Sequence, residues 1–445
     1  MDLKLRKRLV LLIALMSYLL TALDSSLVLT SLTKIQASLG LNQVTLSWIQ
    51  DAYGLAFGSF ILISGRLGDM YGRKKMMITA LTLFWIGSII TGSSNIAMLT
   101  IISRFFEGMG ASIMAPTALA LLIDYFSGSE LTKAIAWYSS IAGLGMSIGL
   151  ILGGVFAGFL NWRVGFFVDA LIAVLLLVLS VIALENKNLK ALDARVDLLG
   201  AVLSILGSGL LVYAVNGAKK VGLFLIIALI VLTAFVLYER KAQQPVMPLH
   251  LLHNRTRILA YLSRGVLVAA AMGFSFFNSE YLQDSLNYSP LQAGFAYLPM
   301  TVTLFVTAML VSRFIDSLGN RRVLMFGSIS IMLSFGWAFF SGTHSFMVTI
   351  LVPELLLGIG QGLVLAPQTN LGIYKVDPQE AGAASSVLNM FHQLGGVLGI
   401  AVMVQAGLTI KPVHGIANQF NEAMFVGFVL AIIAVVVAWF ARKEE

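Results

Sequence analysis

The sequence has no cysteine and only five histidines among its 445 residues. Disulfides, thiolate catalysis and cysteine-based metal sites are therefore excluded, and the histidines show no spacing typical of metal ligands. The phosphate-binding pattern G-x-x-x-x-G-K-[ST] is also absent, which argues against an ATP-driven machine. We therefore expect neither an enzyme nor a bound cofactor.

Charged residues are also scarce, at 11% of the chain against 58% hydrophobic residues. A chain this apolar would not stay soluble as a globular domain. The net charge of +8 falls into short basic clusters between apolar runs, a pattern typical of cytoplasmic loops rather than of a nucleic-acid surface. We expect a protein that lies in the lipid bilayer and binds no nucleic acid.

Fourteen apolar runs approach the length of about 20 residues that a transmembrane helix needs. They lie at residues 9–32, 44–64, 76–93, 97–122, 133–158, 163–184, 198–215, 221–238, 258–283, 291–312, 323–341, 347–373, 382–408 and 423–441. We predict an all-α, polytopic membrane protein with three parts: a six-helix bundle (1–184), a linker with two extra transmembrane helices (185–239) and a second six-helix bundle (240–445). Basic residues number 22 on the predicted cytoplasmic side and 5 outside, which predicts that both termini are cytoplasmic.

An internal repeat supports two equivalent bundles. Arg66, Asp69, Gly72, Lys74 and Lys75 recur 247 residues later as Arg313, Asp316, Gly319, Arg321 and Arg322. Both copies follow the second predicted helix of a bundle. Duplicated halves are the usual architecture of secondary transporters.

Four motifs resemble those of one transporter family. Residues 65–75, Gly-Arg-Leu-Gly-Asp-Met-Tyr-Gly-Arg-Lys-Lys, resemble the loop signature of the major facilitator superfamily. Residues 23–28, 104–110 and 143–149 with Gly153 and Gly154 resemble the first-, fourth- and fifth-helix motifs of its fourteen-helix drug:proton antiporters, known from Gram-positive bacteria. The chain departs from these patterns at Leu150, where proline is common, and at Asp51 and Glu107, where uncharged residues are commoner.

The resemblance implies a multi-pass protein of the bacterial cell membrane, a monomer that exports lipophilic and cationic drugs by alternating access with protons as the coupling ion. It also implies two structural sites. A conformational latch on the cytoplasmic side would comprise Gly65, Arg66, Asp69, Gly72, Arg73, Arg313 and Asp316. Antiporter-motif glycines at Gly145, Gly149, Gly153 and Gly154 would allow close helix approach.

Six carboxylates fall within predicted spans: Asp24, Asp51, Glu107, Asp169, Glu280 and Glu354. An ionised acid facing lipid at a helix centre costs about 2.5 to 3.5 kcal/mol. Six would cost roughly 15 to 20 kcal/mol, more than the typical stability of a domain, about 5 to 15 kcal/mol. These acids must therefore face water or one another, or carry protons.

Four of the spans carry the strongest candidates for a proton-coupling and substrate-binding site. In the resembled fold, spans one, four, nine and twelve line the central cavity, and here they carry Asp24, Arg104 with Glu107, Glu280 and Glu354. We expect an acidic cavity that leans outward. An alternative is that some acids simply pair with Arg104 or Arg264. For Asp51 and Asp169, near helix ends, a functional role and mere solvent exposure remain open.

Two other functions remain open at this point. One is a proton-coupled carrier of a specific metabolite, such as a symporter that imports a sugar or organic acid, because a fold fixes neither direction nor cargo. The other is a membrane sensor that keeps the scaffold but transports nothing.

Overall fold

A computed structural model describes residues 2–185, 197–216, 220–243, 245–342, 345–377, 380–409 and 415–440. Within these residues the protein is helical and contains no strand. The helices are α1 (Leu3–Leu39), α2 (Gln43–Tyr71), α3 (Arg73–Ser93), α4 (Ala97–Tyr125), α5 (Gly128–Phe159), α6 (Trp162–Ala183), α7 (Leu198–Val215), α8 (Val221–Glu239), α9 (Arg255–Glu280), α10 (Pro290–Ala296), α11 (Leu298–Leu318), α12 (Asn320–Phe340), α13 (Val352–Gly372), α14 (Ala381–Thr409) and α15 (Gly415–Phe440).

Thirteen segments of the described chain are long and apolar enough to cross a membrane. In this count α10 and α11 form one segment, Pro290–Leu318. The remaining helix, α5, is 32 residues long, and its apolar part is the shorter stretch Gly145–Phe159. Together with α5 these make fourteen helical segments, approximately the predicted number, and the predicted all-α polytopic fold is confirmed. Residues 186–196 of the predicted linker lie outside the described residues.

Polar caps begin several helices on the predicted outer side. The side chain of Asn42 accepts a hydrogen bond from the backbone N–H of Thr45 at 2.8 Å, and Asn161 caps α6 in the same way. Ser289 and Gln292 form a reciprocal capping box at the start of α10. Each cap satisfies an N–H group that has no partner within its helix, which fixes where the helix begins.

The sequence repeat produces the same corner in both bundles. Gly72 and Gly319 precede α3 and α12 with φ values of +90° and +80°, a region that side-chain-bearing residues rarely adopt. Two residues later, Lys74 donates to the Val181 carbonyl and Arg321 to the Trp439 carbonyl, each at 2.7 Å. These carbonyls lie near the C-terminal ends of α6 and α15, where a cation is favoured by the helix dipole.

The inserted helix α7 lies against the seam between the two bundles. Val212 packs with Leu55 of α2 and Val397 of α14 in one buried cluster. Asn216, just beyond the helix, hydrogen-bonds with Ser47 of α2. The partner helix α8 is largely exposed, as expected of a helix that faces lipid.

The two bundles meet on the outer side of the molecule. Thr33 of α1 donates to Gln283, which follows α9, at 2.7 Å, and Ser279 of α9 donates to the Leu29 carbonyl. Gly154 of α5 packs directly on Pro290 of α10. These contacts close the outer half of the structure, and we refer to them as the outer closure.

Candidate functional site

Arg104 of α4 is the centre of a buried charged cluster. Its Nη1 donates to Asp24 Oδ1 of α1 at 2.6 Å and also to Glu107. Its Nε donates to the Ile49 carbonyl of α2 at 3.3 Å. Arg104, Asp24 and Glu107 are 0% exposed. The spacing of three places Arg104 and Glu107 on one helix face, as the sequence predicts, and both Asp24 and Glu107 contact Arg104.

Aromatic rings and a hydroxyl enclose this cluster. The Arg104 guanidinium carbon lies 4.6 Å from the Tyr53 ring centroid and 5.7 Å from that of Phe166, distances that allow cation–π attraction. Thr91 of α3 donates to the second oxygen of Glu107 at 2.8 Å. Gly87 makes room for this acid, because a Cβ there would lie 2.6 Å from Glu107 Cγ.

Asp169 of α6 adds a third carboxylate to the cluster. It is 1% exposed and interacts electrostatically with Asp24, Glu107 and Arg104. Among the described residues, no donor reaches Oδ2 of Asp24 or Oδ2 of Asp169. Three carboxylates thus surround a single arginine, and Arg104 can neutralise only one of them when all are ionised.

The acids of the second bundle have neutral partners. Glu354 of α13 accepts from Asn278 Nδ2 of α9 at 3.0 Å. Glu280 accepts from Gln43 Nε2 of α2, a contact that crosses between the bundles. Neither acid has a basic side chain within 4.0 Å in the part of the chain that the structure describes.

Asp51 lies apart from the other acids, on the side of α2 that faces the inserted helices. It is 0% exposed, and its Oδ2 accepts from Asn216 Nδ2 at 2.9 Å. The alternative of mere solvent exposure is therefore wrong for Asp51, and it is wrong for Asp169 as well. A position near a helix end does not imply solvent exposure here, because neighbouring helices cover these ends.

The predicted acidic cavity is not open in this conformation. Neighbouring helices cover all six acids, each of which is exposed by 2% or less. Asp24, Glu107 and Asp169 belong to the Arg104 cluster, whereas Glu354, Glu280 and Asp51 each bond to a different amide, those of Asn278, Gln43 and Asn216.

The predicted latch is only partly described. Arg66 and Arg73 are half-buried, Gly65 lies in open space, and Gly72 forms the turn described above. The Asp69 side chain lies outside the described residues. In the second copy, Arg313 and Asp316 are exposed and pair with none of the described residues, so the structure does not bring this copy of the latch together.

The antiporter-motif glycines lie at helix contacts. A Cβ on Gly145 would lie 2.8 Å from Ala22 Cβ, and one on Gly149 would lie 2.8 Å from the Leu23 carbonyl. Gly153 packs on α1 in the same way, beside Leu27. Gly154 faces the other bundle, where a Cβ would lie 2.6 Å from the Pro290 carbonyl. Close helix approach is thus present, within the first bundle at three positions and between bundles at the fourth.

Sequence reasoning missed the neutral partners of the charged groups. Thr91, Gln43, Asn278 and Asn216 each hydrogen-bond a buried acid. Arg264 was considered as a partner for acids, but it contacts His392 and Gln368 instead. The sequence did contain a signal for these partners. A polar residue within an apolar span costs free energy unless it is hydrogen-bonded, so Thr91, Asn278 and other polar residues of the spans could have been expected to have polar partners.

A helical bundle with duplicated halves and buried charges at its centre defines a secondary transporter. The sequence profile of the Major Facilitator Superfamily matches residues 14–400, and the chain belongs to this family. It is therefore a transporter of the bacterial plasma membrane rather than an enzyme, as the motifs predict.

Relatives and solved structures agree with this assignment. The chain is similar to the puromycin resistance protein pur8 of Streptomyces alboniger, at 30% identity over 96% of this chain and 90% of that protein. It is equally similar to the cephamycin export protein CmcT of Amycolatopsis lactamdurans, at 30% identity over the same shares. A solved POT family transporter has the same fold, with a TM-score of 0.72 and 15% identity over 98% of this chain and 96% of that one.

Proposed function

We propose that this protein is a proton-coupled multidrug antiporter that exports lipophilic and cationic drugs by alternating access. The names of its relatives support drugs as the cargo, since pur8 is a puromycin resistance protein and CmcT a cephamycin exporter. The Bacillus subtilis relative MdtP, 26% identical over 86% of this chain, is a multidrug transporter. Protons act as the coupling ion, with no cofactor.

The excess of buried acids around Arg104 carries the proposal. An isolated ionised carboxylate is too costly in an apolar interior, so it is neutralised by a proton or by a cation. Arg104 supplies one positive charge to Asp24, Glu107 and Asp169. Protons balance the remaining negative charge of the cluster in the closed state. They leave to the cytoplasm when a cationic drug takes their place, and protons from the outer side displace the drug when the outer half opens.

If a proton and a drug compete for the same acids, export of the drug is coupled to entry of the proton. Moving one positive charge against the membrane potential costs about 2.3 kcal/mol per 100 mV. A monovalent cationic drug that leaves as one proton enters moves no net charge, so the pH gradient alone drives it. Glu280 and Glu354 are further acids for exporting a dication, which needs at least two protons for electroneutral exchange.

The test is drug-induced proton movement in inside-out membrane vesicles with an acidic lumen. Drug added outside meets the cytoplasmic face, so antiport should carry protons out of the lumen, which a trapped pH-sensitive dye reports. We expect ethidium and norfloxacin both to raise the luminal pH with the wild type. Glu280→Gln should lose the response to ethidium, whereas Asp284→Asn should retain it, because Asp284 is exposed just beyond the same helix.

Two outcomes would contradict the proposal. A wild type that is silent with both drugs would indicate a metabolite carrier or a membrane sensor that does not transport. A response of normal size in Glu280→Gln and in Asp24→Asn would remove these acids from proton coupling.

A further inference from the structure

Arg264 of α9 is an interior cation without an acidic partner in the part of the chain that the structure describes. Its Nε donates to His392 Nδ1 of α14 at 3.0 Å, and its Nη1 donates to Gln368 Oε1 of α13 at 3.1 Å. Gln368 is held in turn by a hydrogen bond to Ser263 at 3.1 Å. No carboxylate of the described residues lies within 4.0 Å of Arg264. This arrangement is the opposite of the Arg104 cluster, where acids outnumber the cation.

The hydrogen bond to His392 fixes the donors that this site offers. A guanidinium only donates, so His392 Nδ1 must accept, and the proton of the neutral ring is then on Nε2. Arg264 Nη2 donates to none of the described residues. The site therefore presents a positive charge with N–H groups from Arg264 and His392 to which no carboxylate of the described residues is bonded.

The site faces the interior below the outer closure. Arg264 lies nine residues from the start of α9, about 13 Å along the helix from its cytoplasmic end. Arg264, His392 and Tyr18 are half-buried within transmembrane helices. Tyr18 of α1 interacts electrostatically with Arg264 from the opposite bundle. The charge is thus held between the bundles, on the cytoplasmic side of Ser279 and Gln283.

Aromatic rings of the first bundle lie across from Arg264. The rings of Tyr18 and Tyr138 stack with their centroids 4.4 Å apart, which places a flat surface across from the cation. A ligand that has an aromatic system and an anionic group fits both walls at once, because a guanidinium binds carboxylates strongly.

We propose that Arg264 and His392, supported by Gln368, form an anion-receiving subsite that binds the carboxylate of aromatic, zwitterionic substrates entering from the cytoplasm. Asp24 lies six residues beyond Tyr18 on α1, about 9 Å along the helix. A substrate with a cationic and an anionic end therefore meets groups of the opposite sign along one path. This inference rests on the proposed export function, and it extends the substrate class beyond simple cations.

A matched pair of dyes tests the subsite. Rhodamine 110 carries a carboxylate and the cationic xanthylium system, and rhodamine 123 is its methyl ester, so the two differ in the anionic group. Binding is measured by fluorescence anisotropy with the purified full-length protein. We expect the wild type to bind rhodamine 110 about tenfold more tightly than the ester, because only the carboxylate forms a charge-assisted hydrogen bond with the arginine.

Variants of Arg264 distinguish a loss of the positive charge from a general disturbance of the fold. Arg264→Gln should weaken rhodamine 110 binding about tenfold and change rhodamine 123 binding by less than about twofold. Arg264→Lys should give an intermediate loss, because an ammonium keeps the charge without the bidentate geometry. Arg255→Gln, at an exposed arginine on the same helix, should bind both dyes as the wild type does.

Three results would overturn the proposal. Equal wild-type affinity for the two dyes would show that the carboxylate is not recognised, and this comparison needs no variant to fold. Equal loss of both dyes in Arg264→Gln would assign a structural role to the arginine. If the wild type binds neither dye and gives no proton response to ethidium, the export function fails together with the subsite.

Discussion

At the scale of single residues, the two interior arginines have opposite surroundings. Arg104 is fully buried and shared by Asp24 and Glu107, whereas Arg264 is half-buried and bonds only to neutral groups of the described chain. A buried charge requires a partner of opposite sign or access to water. This difference is why we propose that the first arginine belongs to the coupling site and that the second receives an incoming ligand.

Asp51 offers a prediction about buried charge. Asp51→Asn removes the ionisable group and keeps an oxygen that accepts from Asn216, so the unfolding midpoint should stay unchanged or rise. Asp51→Leu leaves the Asn216 amide without this acceptor and should lower stability by about 1 to 3 kcal/mol. Thermal unfolding followed by tryptophan fluorescence distinguishes the two. An Asn variant that is clearly less stable than the wild type would show that the charge itself stabilises the fold.

At the scale of helices, the glycines of α5 make two kinds of helix contact, one within the first bundle and one between the bundles. Gly145 and Gly149 bring α5 against α1 within the first bundle, and Gly154 brings it against α10 of the second bundle. Small residues permit close helix contact in a membrane, where packing replaces the hydrophobic effect as the driving force. Leu150, at the position where proline is common, is buried beside this contact, with its carbonyl directed at Gly294.

Gly154→Ala is therefore expected to disturb the contact between bundles more than the fold. Its Cβ would lie 2.6 Å from the Pro290 carbonyl and 2.8 Å from Leu291 Cα, and backbone atoms cannot turn away as a flexible side chain can. We expect ethidium-driven proton movement to fall severalfold while the purified protein remains folded. Gly158→Ala is the matched control, because its Cβ would meet Pro290 at an ordinary 3.8 Å. Equal activity in the two variants would contradict a role for this contact.

At the scale of the whole molecule, the structure is closed on the outer side, while half-buried polar residues lie on the cytoplasmic side. The alternating access that we propose requires the outer contacts to break in each cycle, because an exported substrate leaves only through an open outer half. The hydrogen bonds of Thr33 with Gln283 and of Ser279 with the Leu29 carbonyl must therefore be transient.

The absence of cysteine allows a direct test of this requirement. Thr33 Oγ1 and Gln283 Oε1 lie 2.7 Å apart in the closed state. In a Thr33→Cys and Gln283→Cys pair, a short bifunctional reagent that forms a disulfide with each thiol should therefore cross-link the bundles and abolish transport. Reduction should restore it. The Asn320→Cys and Asn370→Cys pair, whose native side chains are 2.9 Å apart within the second bundle, should cross-link without loss. Undiminished transport by the cross-linked outer pair would exclude opening at this position.

The sequence by itself determined the number and approximate bounds of the helices, their duplication and the family. The predicted span 198–215 coincides with α7, and most others agree within a few residues. The physical reason is that lipid requires about 20 apolar residues for each crossing, and this requirement is local to the chain. The loop repeat likewise predicted the equivalent corners at Gly72 and Gly319.

Only the tertiary structure decided which charges meet. Asp24 joins Arg104 and Glu107 across 80 residues of sequence, Asp51 bonds to Asn216 in the inserted segment, and Arg264 bonds to His392 rather than to any described acid. The roles proposed for these residues stay predictions until they are measured. Their pairing depends on how each helix rotates about its axis and packs on its neighbours, which the apolar runs do not encode because lipid-facing and core-facing residues are equally apolar.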